Sequence, residues 1–539
     1  MRILFCTNAY PPHFIGGAEL IAHQQASALS SLGHEMYGFV GDTSGKIARH
    51  DIVDDELDGI PIKRIGLDPI DFNADFPNFH HPEVESRFIE TVQDFQPDLV
   101  HCHNLIGLSA YLPFLAKIYG ARVALTLHDH WGYCLKSTAE WLPGTLCTDS
   151  SRCATCQTFV NEGRGKYIPI LLRKNTINLL TEFVDIHISP SNFLADCYRI
   201  HHPKTLLTKV VWNGINLQRF THSLRTESVE RFQFLFAGYL GKHKGILTLI
   251  DAFSSVALDT NATLAIAGDG DLLTTCKESV KRHGLEKRVI FYGKIPNEEM
   301  PRLLSESDAL VLPSIWPENQ PVSITEAMAA GLPVIASNLG GIPELLSNPQ
   351  AGLLVEANNT AALENSMRQL CGDRALCRKL GEAGRSRIRE HDFSKQAKEL
   401  AFIFSSIPKP LSIARSRQLV ACVSDRFDDS FNAEAIAAKW AGFAPHFVYS
   451  AWVRDDLLID GDIALVVGSH GSLTEAYRLM KRGVALVVPE YRRDLREIVQ
   501  RLSCGLVYSD YNEAARQVAY LLEHDDLRRS LGENSKISF

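Results

Sequence analysis

Two glutamates, Glu318 and Glu326, stand eight positions apart in the segment Trp316-Pro317-Glu318-Asn319-Gln320-Pro321-Val322-Ser323-Ile324-Thr325-Glu326. An apolar run ends at Pro313, a loop carries Glu318, and a helix is expected to open near Pro321 or Val322, with Glu326 about one turn inside it. Such an opening turns the stretch Gln320, Pro321, Val322 and Ser323, with the free backbone N–H groups it contains, toward a bound phosphate, favoured by the helix dipole. The two carboxylates then flank the anion and can accept hydrogen bonds from hydroxyl groups, one on a sugar and one on a ribose. Paired glutamates alone also arise on solvated helix faces; the whole string is the specific signal.

Other residues fit the same chemistry. In Phe236-Ala237-Gly238-Tyr239-Leu240-Gly241-Lys242-His243-Lys244-Gly245, Lys244 sits on a glycine-flanked loop where a compact ammonium would neutralise a phosphate. Outside such a setting a lysine at the start of a helix is ordinarily solvated. Gly16 and Gly17 follow the first apolar run and open a helix, so backbone amides there can approach a ligand that a Cβ would block. His128, Asp129 and His130 close another apolar run, at the carboxyl edge where open α/β sheets bind ligands. His101 and His103 end the run before it and read as packing or acceptor-side residues. Cys134, Cys147, Cys153 and Cys156 cluster in one loop; four thiolates can hold a structural zinc, and reduced, unmetallated thiols account for them equally well.

The elements that must position these groups alternate between short apolar, β-branched runs and longer helical patterns, the rhythm of parallel sheets with crossover helices. A first set comprises Arg2–Thr7, Asp98–His103, Arg122–His128 and Val184–Ser189. After the Val211–Asn216 segment, a second set comprises Phe232–Gly238, Ala262–Gly268, Arg288–Gly293, Ala309–Pro313 and Pro333–Ser337. A proline-bearing linker follows Ile407, and a third set comprises Gln418–Ser424, His446–Ser450, Ile463–Gly468, Val484–Pro489 and Gly505–Tyr508. The third set reads as an internal repeat, because Ser472-Leu473-Thr474-Glu475-Ala476 echoes Ser323-Ile324-Thr325-Glu326-Ala327. The expected division is 1–205, 206–407, a linker at 408–417, and a degenerate half-domain at 418–539. In that repeat Glu475 matches Glu326, but Val467 falls where Glu318 would, so it is expected to be non-catalytic.

The chain resembles the retaining glycosyltransferase family 4, also called glycosyltransferase group 1, from Met1 to about Ile407. The resemblance rests on the acid–seven residues–acid signature at Glu318 and Glu326 and on the trailing Gly340-Gly341-Ile342-Pro343-Glu344 loop. It implies an α/β fold of the GT-B type, with two facing Rossmann-like domains and, here, an additional C-terminal Rossmann-like half-domain. It further implies that Glu318 and His128 contact a donor sugar, Glu326 the ribose, Lys244 the diphosphate, and Gly16 and Gly17 the cleft near the phosphates. The family usually has arginine where this chain has Tyr239, and Lys242 is the residue that would substitute. The implied activity is transfer of a sugar, with retention, from a nucleotide-sugar co-substrate to a glycan or lipid-linked acceptor in surface polysaccharide synthesis, with no cofactor required for catalysis. A sugar-nucleotide epimerase and a non-catalytic glycan-binding protein are the other functions such a chain can have.

Composition bounds these expectations. The 539 residues are 45% apolar and 22% charged, enough to bury several cores, and the net charge of -8 opposes a general nucleic-acid binder. Twelve cysteines in so long a chain fit reduced thiols better than a secreted disulfide framework. No window reaches the roughly 18 continuous apolar residues of a membrane span, so a cytoplasmic protein is expected. Arg164, Lys166, Arg173 and Lys174 flank an apolar stretch that would either rest on an anionic membrane surface or form a buried helix with basic ends.

Overall fold

The computed structural model describes residues 1–408 except 14–15, 73–80, 135, 143–144, 150–152, 154–155, 157–176, 179, 182, 203–205 and 221–230, and then 420–423, 447–450, 463–466, 484–490, 492–509 and 511–536. Three parallel-type sheets follow one another along the chain. The first contains β1 (Arg2–Thr7), β2 (Glu35–Asp42), β3 (Ile52–Leu57), β4 (Ile60–Gly66), β5 (Leu99–Cys102), β6 (Arg122–Thr126), β9 (Ile186–Ser189) and β10 (Thr208–Val210); β7 (Glu140–Leu142) and β8 (Thr145–Leu146) form a separate hairpin. Its order is β10-β9-β6-β5-β1-β2-β4-β3, and β3 alone runs antiparallel to its neighbour.

The second sheet contains β11 (Gln233–Ala237), β12 (Thr263–Ala267), β13 (Val289–Gly293), β14 (Ala309–Leu312), β15 (Val334–Ser337) and β16 (Gly352–Val355), in the order β13-β12-β11-β14-β15-β16. The third contains β17 (Val420–Val423), β18 (Phe447–Ser450), β19 (Ile463–Val466), β20 (Ala485–Pro489) and β21 (Gly505–Tyr508), in the order β18-β17-β19-β20-β21. Without its edge strand β13, the second sheet has the strand order of the third, which gives the sequence echo a topological counterpart. Ser472–Ala476 and Val467 themselves lie outside the described residues, as do Arg164, Lys166, Arg173 and Lys174.

The strands expected from apolar runs are present, most of them trimmed by a residue or two. The structure adds β2, β3, β4, β7, β8, β10 and β16. In β3 the sequence Ile-Val-Asp-Asp-Glu-Leu is mostly exposed, so an edge strand exists without the apolar run that would announce it.

Apolar residues fill both faces of the first sheet and a separate core in the second. The helix Phe393–Ser406 follows the second sheet in sequence but packs on the first, burying Ala397, Leu400, Ile403 and Phe404 against Ile3, Phe5 and Ala26. Arg122, buried, donates to the Phe404 and Ile407 carbonyls at 3.2 and 3.3 Å and fixes the end of that helix. Among the described residues no helix is long and apolar enough to cross a membrane.

Candidate active site

In the second sheet β11 lies between β12 and β14, so the strand order reverses there and the loops after β11 and β14 diverge from adjacent carboxyl ends. The first loop carries Lys244 and the second Glu318. Gly245 lets them meet: its φ is +69°, and a Cβ there would come within 2.0 Å of the Pro313 carbonyl. Lys244 Nζ donates to Glu318 Oε1 at 2.6 Å, and Ser314 Oγ donates to the same oxygen at 2.7 Å. Gly340, with φ +64°, closes over the backbone of Glu318, and Gly341 N–H donates to the Glu318 carbonyl at 2.7 Å.

The helix Val322–Ala330 begins where expected, with Pro321 as its N-cap and no side chain capping it. Pro321 has no N–H, so Gln320, Val322 and Ser323 are the donors of that stretch. These residues line a cleft of about 420 Å³ together with Gly16, Gly17, His128, Tyr239, Lys244 and Glu318. That volume falls in the range of small-molecule sites. Gly17 brings the first sheet's helix Gly17–Ser31 against this helix, since a Cβ on it would lie 3.0 Å from Val322 Cγ2. The Gly16 N–H is already taken by Glu19 Oε2 at 2.8 Å.

Glu326 is the first buried carboxylate inside this helix, and desolvation pushes its pKa up to about 7 against the opposing effect of Arg219, whose Nη1 lies 3.3 Å from Oε1. Lys242, by contrast, is exposed on the short 3-10 turn Lys242–Lys244 and does not line the cleft. Tyr239 lines the cleft, 47% exposed, with its ring stacked on His243.

On the opposite wall His128 follows β6. Its Nε2 lies 3.0 Å from His103 Nδ1, and the ring of His101 packs 4.2 Å from that of His103. Burial lowers all three pKa values, His128 to about 4 and His101 to about 3, so the cluster is neutral at physiological pH. His101 and His103 thus pack behind His128, as expected. Beyond them lies a largely apolar hollow of about 40 Å³, too small for a sugar.

Several residues at the cleft were not singled out by the sequence. Asn213 N–H donates to Gln320 Oε1 at 2.6 Å, and Gln320 Nε2 donates back to the Asn213 carbonyl at 3.3 Å. Asn319 Nδ2 donates to the His128 carbonyl at 2.8 Å, and Glu344 accepts from Asn192 N–H and Phe193 N–H at 2.9 and 2.7 Å. The asparagine–glycine pair Asn213-Gly214, inside the Val211–Asn216 segment, was the one local signal available for Asn213.

Among the described residues, Cys134, Cys147, Cys153 and Cys156 do not form a group of potential ligands within reach of one another. The backbone of Cys147 pairs with Ala139, its carbonyl accepts from His201, and Cys134 belongs to the turn at His130. Among the described residues the group of three potential ligands within coordinating reach of one another is instead His50, Asp71 and His81. There the carboxylate already has a cation, since Arg49 Nε lies 3.2 Å from both Asp71 oxygens.

Two Rossmann-like sheets facing each other across a cleft, with an uncapped helix N-terminus in its wall, define a glycosyltransferase of the GT-B fold. The family description "Glycosyl transferases group 1" matches residues 221–387 and "Glycosyltransferase Family 4" matches residues 15–219, and the chain belongs to this family. Glycogen synthase of Mycobacterium tuberculosis is 25% identical over 410 residues, 72% of this chain and 90% of the relative. The Escherichia coli UDP-Gal:alpha-D-GlcNAc-diphosphoundecaprenol alpha-1,3-galactosyltransferase is 28% identical over 193 residues, 33% of this chain and 49% of the relative. An Anabaena protein solved in complex with UDP and glucose superposes with a TM-score of 0.54 at 19% identity, covering 75% of this chain and all (100%) of that one. At that identity the likeness bears on the fold alone.

Proposed function

We propose that this glycosyltransferase moves a sugar, with retention, from a nucleoside diphosphate donor to a glycan or lipid-linked acceptor. One observation carries the reading: Lys244, Glu318 and the uncapped start of the helix Val322–Ala330 converge on one cleft wall, opposite Gly17 and His128. The bond from the anomeric carbon to the diphosphate breaks with its electron pair passing to the leaving oxygen. Lys244 and the N–H groups of Val322 and Ser323 stabilise that charge as it grows. The acceptor oxygen bonds to the anomeric carbon on the face the diphosphate leaves, and its proton passes to the departing diphosphate oxygen. Glu318 and His128 orient the sugar, Glu326 holds the ribose, and closure of the cleft keeps water from the donor. Charge stabilisation by protein groups makes this a reaction without a required metal.

The naming of UDP and a diphosphoundecaprenol-linked substrate for related proteins supports a nucleotide-sugar donor and a polysaccharide-type acceptor. Such donors place the reaction in the cytoplasm, with the enzyme reaching a lipid-linked acceptor from the inner membrane face. The test is incubation with a panel of labelled nucleotide sugars. Transfer or slow donor hydrolysis that persists in EDTA and disappears in Glu326→Ala supports the proposal. Release of an isomerised nucleotide sugar without any acceptor would favour epimerisation, and glycan binding with no turnover would remove catalysis from the account.

A further inference from the structure

Among the described residues, one cation holds Glu326 from outside its own helix. Arg219 stands on the short 3-10 helix Leu217–Phe220, just after the crossing segment that includes Asn213. Its Nη1 lies 3.3 Å from Glu326 Oε1, while its Nη2 donates to the Asn297 carbonyl and to Asn297 Oδ1, the latter at 3.2 Å. One planar guanidinium therefore joins three separate pieces of chain: the crossing segment, the turn after β13, and the donor helix. A lysine ammonium cannot reproduce this, because it lacks a fixed fork that serves two directions at once.

Among the described residues, Arg219 is the charged group that meets Glu326. On the helix Arg374–Ile388, packed against the donor helix, Arg385 donates to the Ala330 carbonyl at the far end of that helix. On the helix Met300–Ser305 and just after it, Arg302 and Glu306 are solvent-facing and pair with each other at 3.4 Å. The strands β14 and β15 bring apolar residues, together with Ser337, to the same core. Burial of Glu326 works against its ionisation, and Arg219 is the group that opposes it.

We propose that Arg219 is a positioning residue for donor recognition: it fixes Oε1 of Glu326, favours the carboxylate, and leaves Oε2 to accept a ribose hydroxyl. The inference rests on the reading that Glu326 meets the nucleotide ribose. It adds that donor affinity depends on a residue lying before the second sheet and outside the acidic signature.

The experiment is calorimetric titration of the full chain with UDP, GDP and ADP between pH 5.5 and 9, using the diphosphate that the wild type binds. In the wild type, affinity falls on the acid side as Glu326 is protonated. Arg219→Met weakens binding at neutral pH by about tenfold and moves that acid limb upward by about one pH unit, so affinity recovers in alkali. Arg219→Lys returns the limb towards its wild-type position but restores only part of the affinity, since the Asn297 tie is lost. An unmoved limb, or a loss by the same factor at every pH, overturns the proposal, the second because it marks a merely structural strut. If Arg219→Met does not fold, Arg219→Gln supplies the neutral variant and the same comparison stands. Failure of the wild type to bind any diphosphate, or wild-type affinity in Glu326→Gln, overturns the ribose reading and this proposal with it, and is distinguished from failure of the Arg219 role alone by that control.

Discussion

Lys244 Nζ and Glu318 Oε1 lie 2.6 Å apart, joining the loops that leave two adjacent strands of the second sheet. Each side chain is mostly buried, at 19% and 9% exposure, so each is the other's principal counter-charge in the absence of a donor. A diphosphate entering the cleft competes for the ammonium and frees the carboxylate to meet a sugar hydroxyl.

Removing either partner should therefore have two separable effects. Lys244→Met should lower the transfer rate by about 10²- to 10³-fold, the range for loss of one donor at a developing oxyanion. It should also destabilise the protein by on the order of 1–3 kcal/mol, because Glu318 is left with Ser314 alone. Adding Glu318→Gln should restore much of the stability and none of the activity. Thermal melts of the single and double variants decide this; additive destabilisation would show that the pair is not coupled.

Glu326 predicts a conflict between stability and binding. Burial raises its pKa from the ordinary 4.5 to about 7, so the folded state holds the proton more tightly than the unfolded chain does. The stability this confers is complete below about pH 4.5 and is lost as pH rises to about 7. Glu326→Gln should thus melt higher than wild type at pH 8, by on the order of 2 kcal/mol, with the difference shrinking at pH 5, while nucleotide affinity is lost. The same difference at both pH values would argue against the buried carboxylate as its source.

His128 makes a spectroscopic prediction. Since burial lowers its pKa to about 4, its ring should not titrate between pH 5 and 8 in nitrogen-detected NMR. His103→Asn, whose amide can stand in for Nδ1 opposite His128 Nε2, should retain most activity, and His103→Leu should lose about tenfold or more. Equal activity in the two variants would reduce His103 to packing.

The sequence carried the strand ends and the acidic segment because these are local: an apolar run stops, a proline opens a helix, and the side chains beyond the run face the ligand edge. It did not reveal that the 3-10 turn leaves Lys242 exposed while Lys244 lines the cleft. Nor could spacing reveal Asn213 against Gln320 or Arg219 against Glu326, pairs 107 positions apart in sequence. The exposed acidic strand β3 escaped notice for another reason: its partner, not its own composition, makes it a strand. For the four cysteines, spacing along a loop left a structural zinc and reduced thiols equally open, because it does not set the distances between sulfurs.

Glu344 accepts from Asn192 N–H and Phe193 N–H, at the first turn of the helix Asn192–His201, and from Asn192 Nδ2 at 2.9 Å. A carboxylate at a helix N-terminus is favoured by the dipole and by the unpaired N–H groups, so this one side chain from the second sheet latches the first. Glu344→Ala should speed hydrogen exchange at the Asn192 and Phe193 amides and raise the KM for donor several-fold through a looser cleft, with Glu344→Gln intermediate because one amide oxygen still accepts. Unchanged exchange at those two amides would mean that the sheets are held together elsewhere, through Asn319 and the Gly17–Val322 contact, and that Glu344 only ends its own loop.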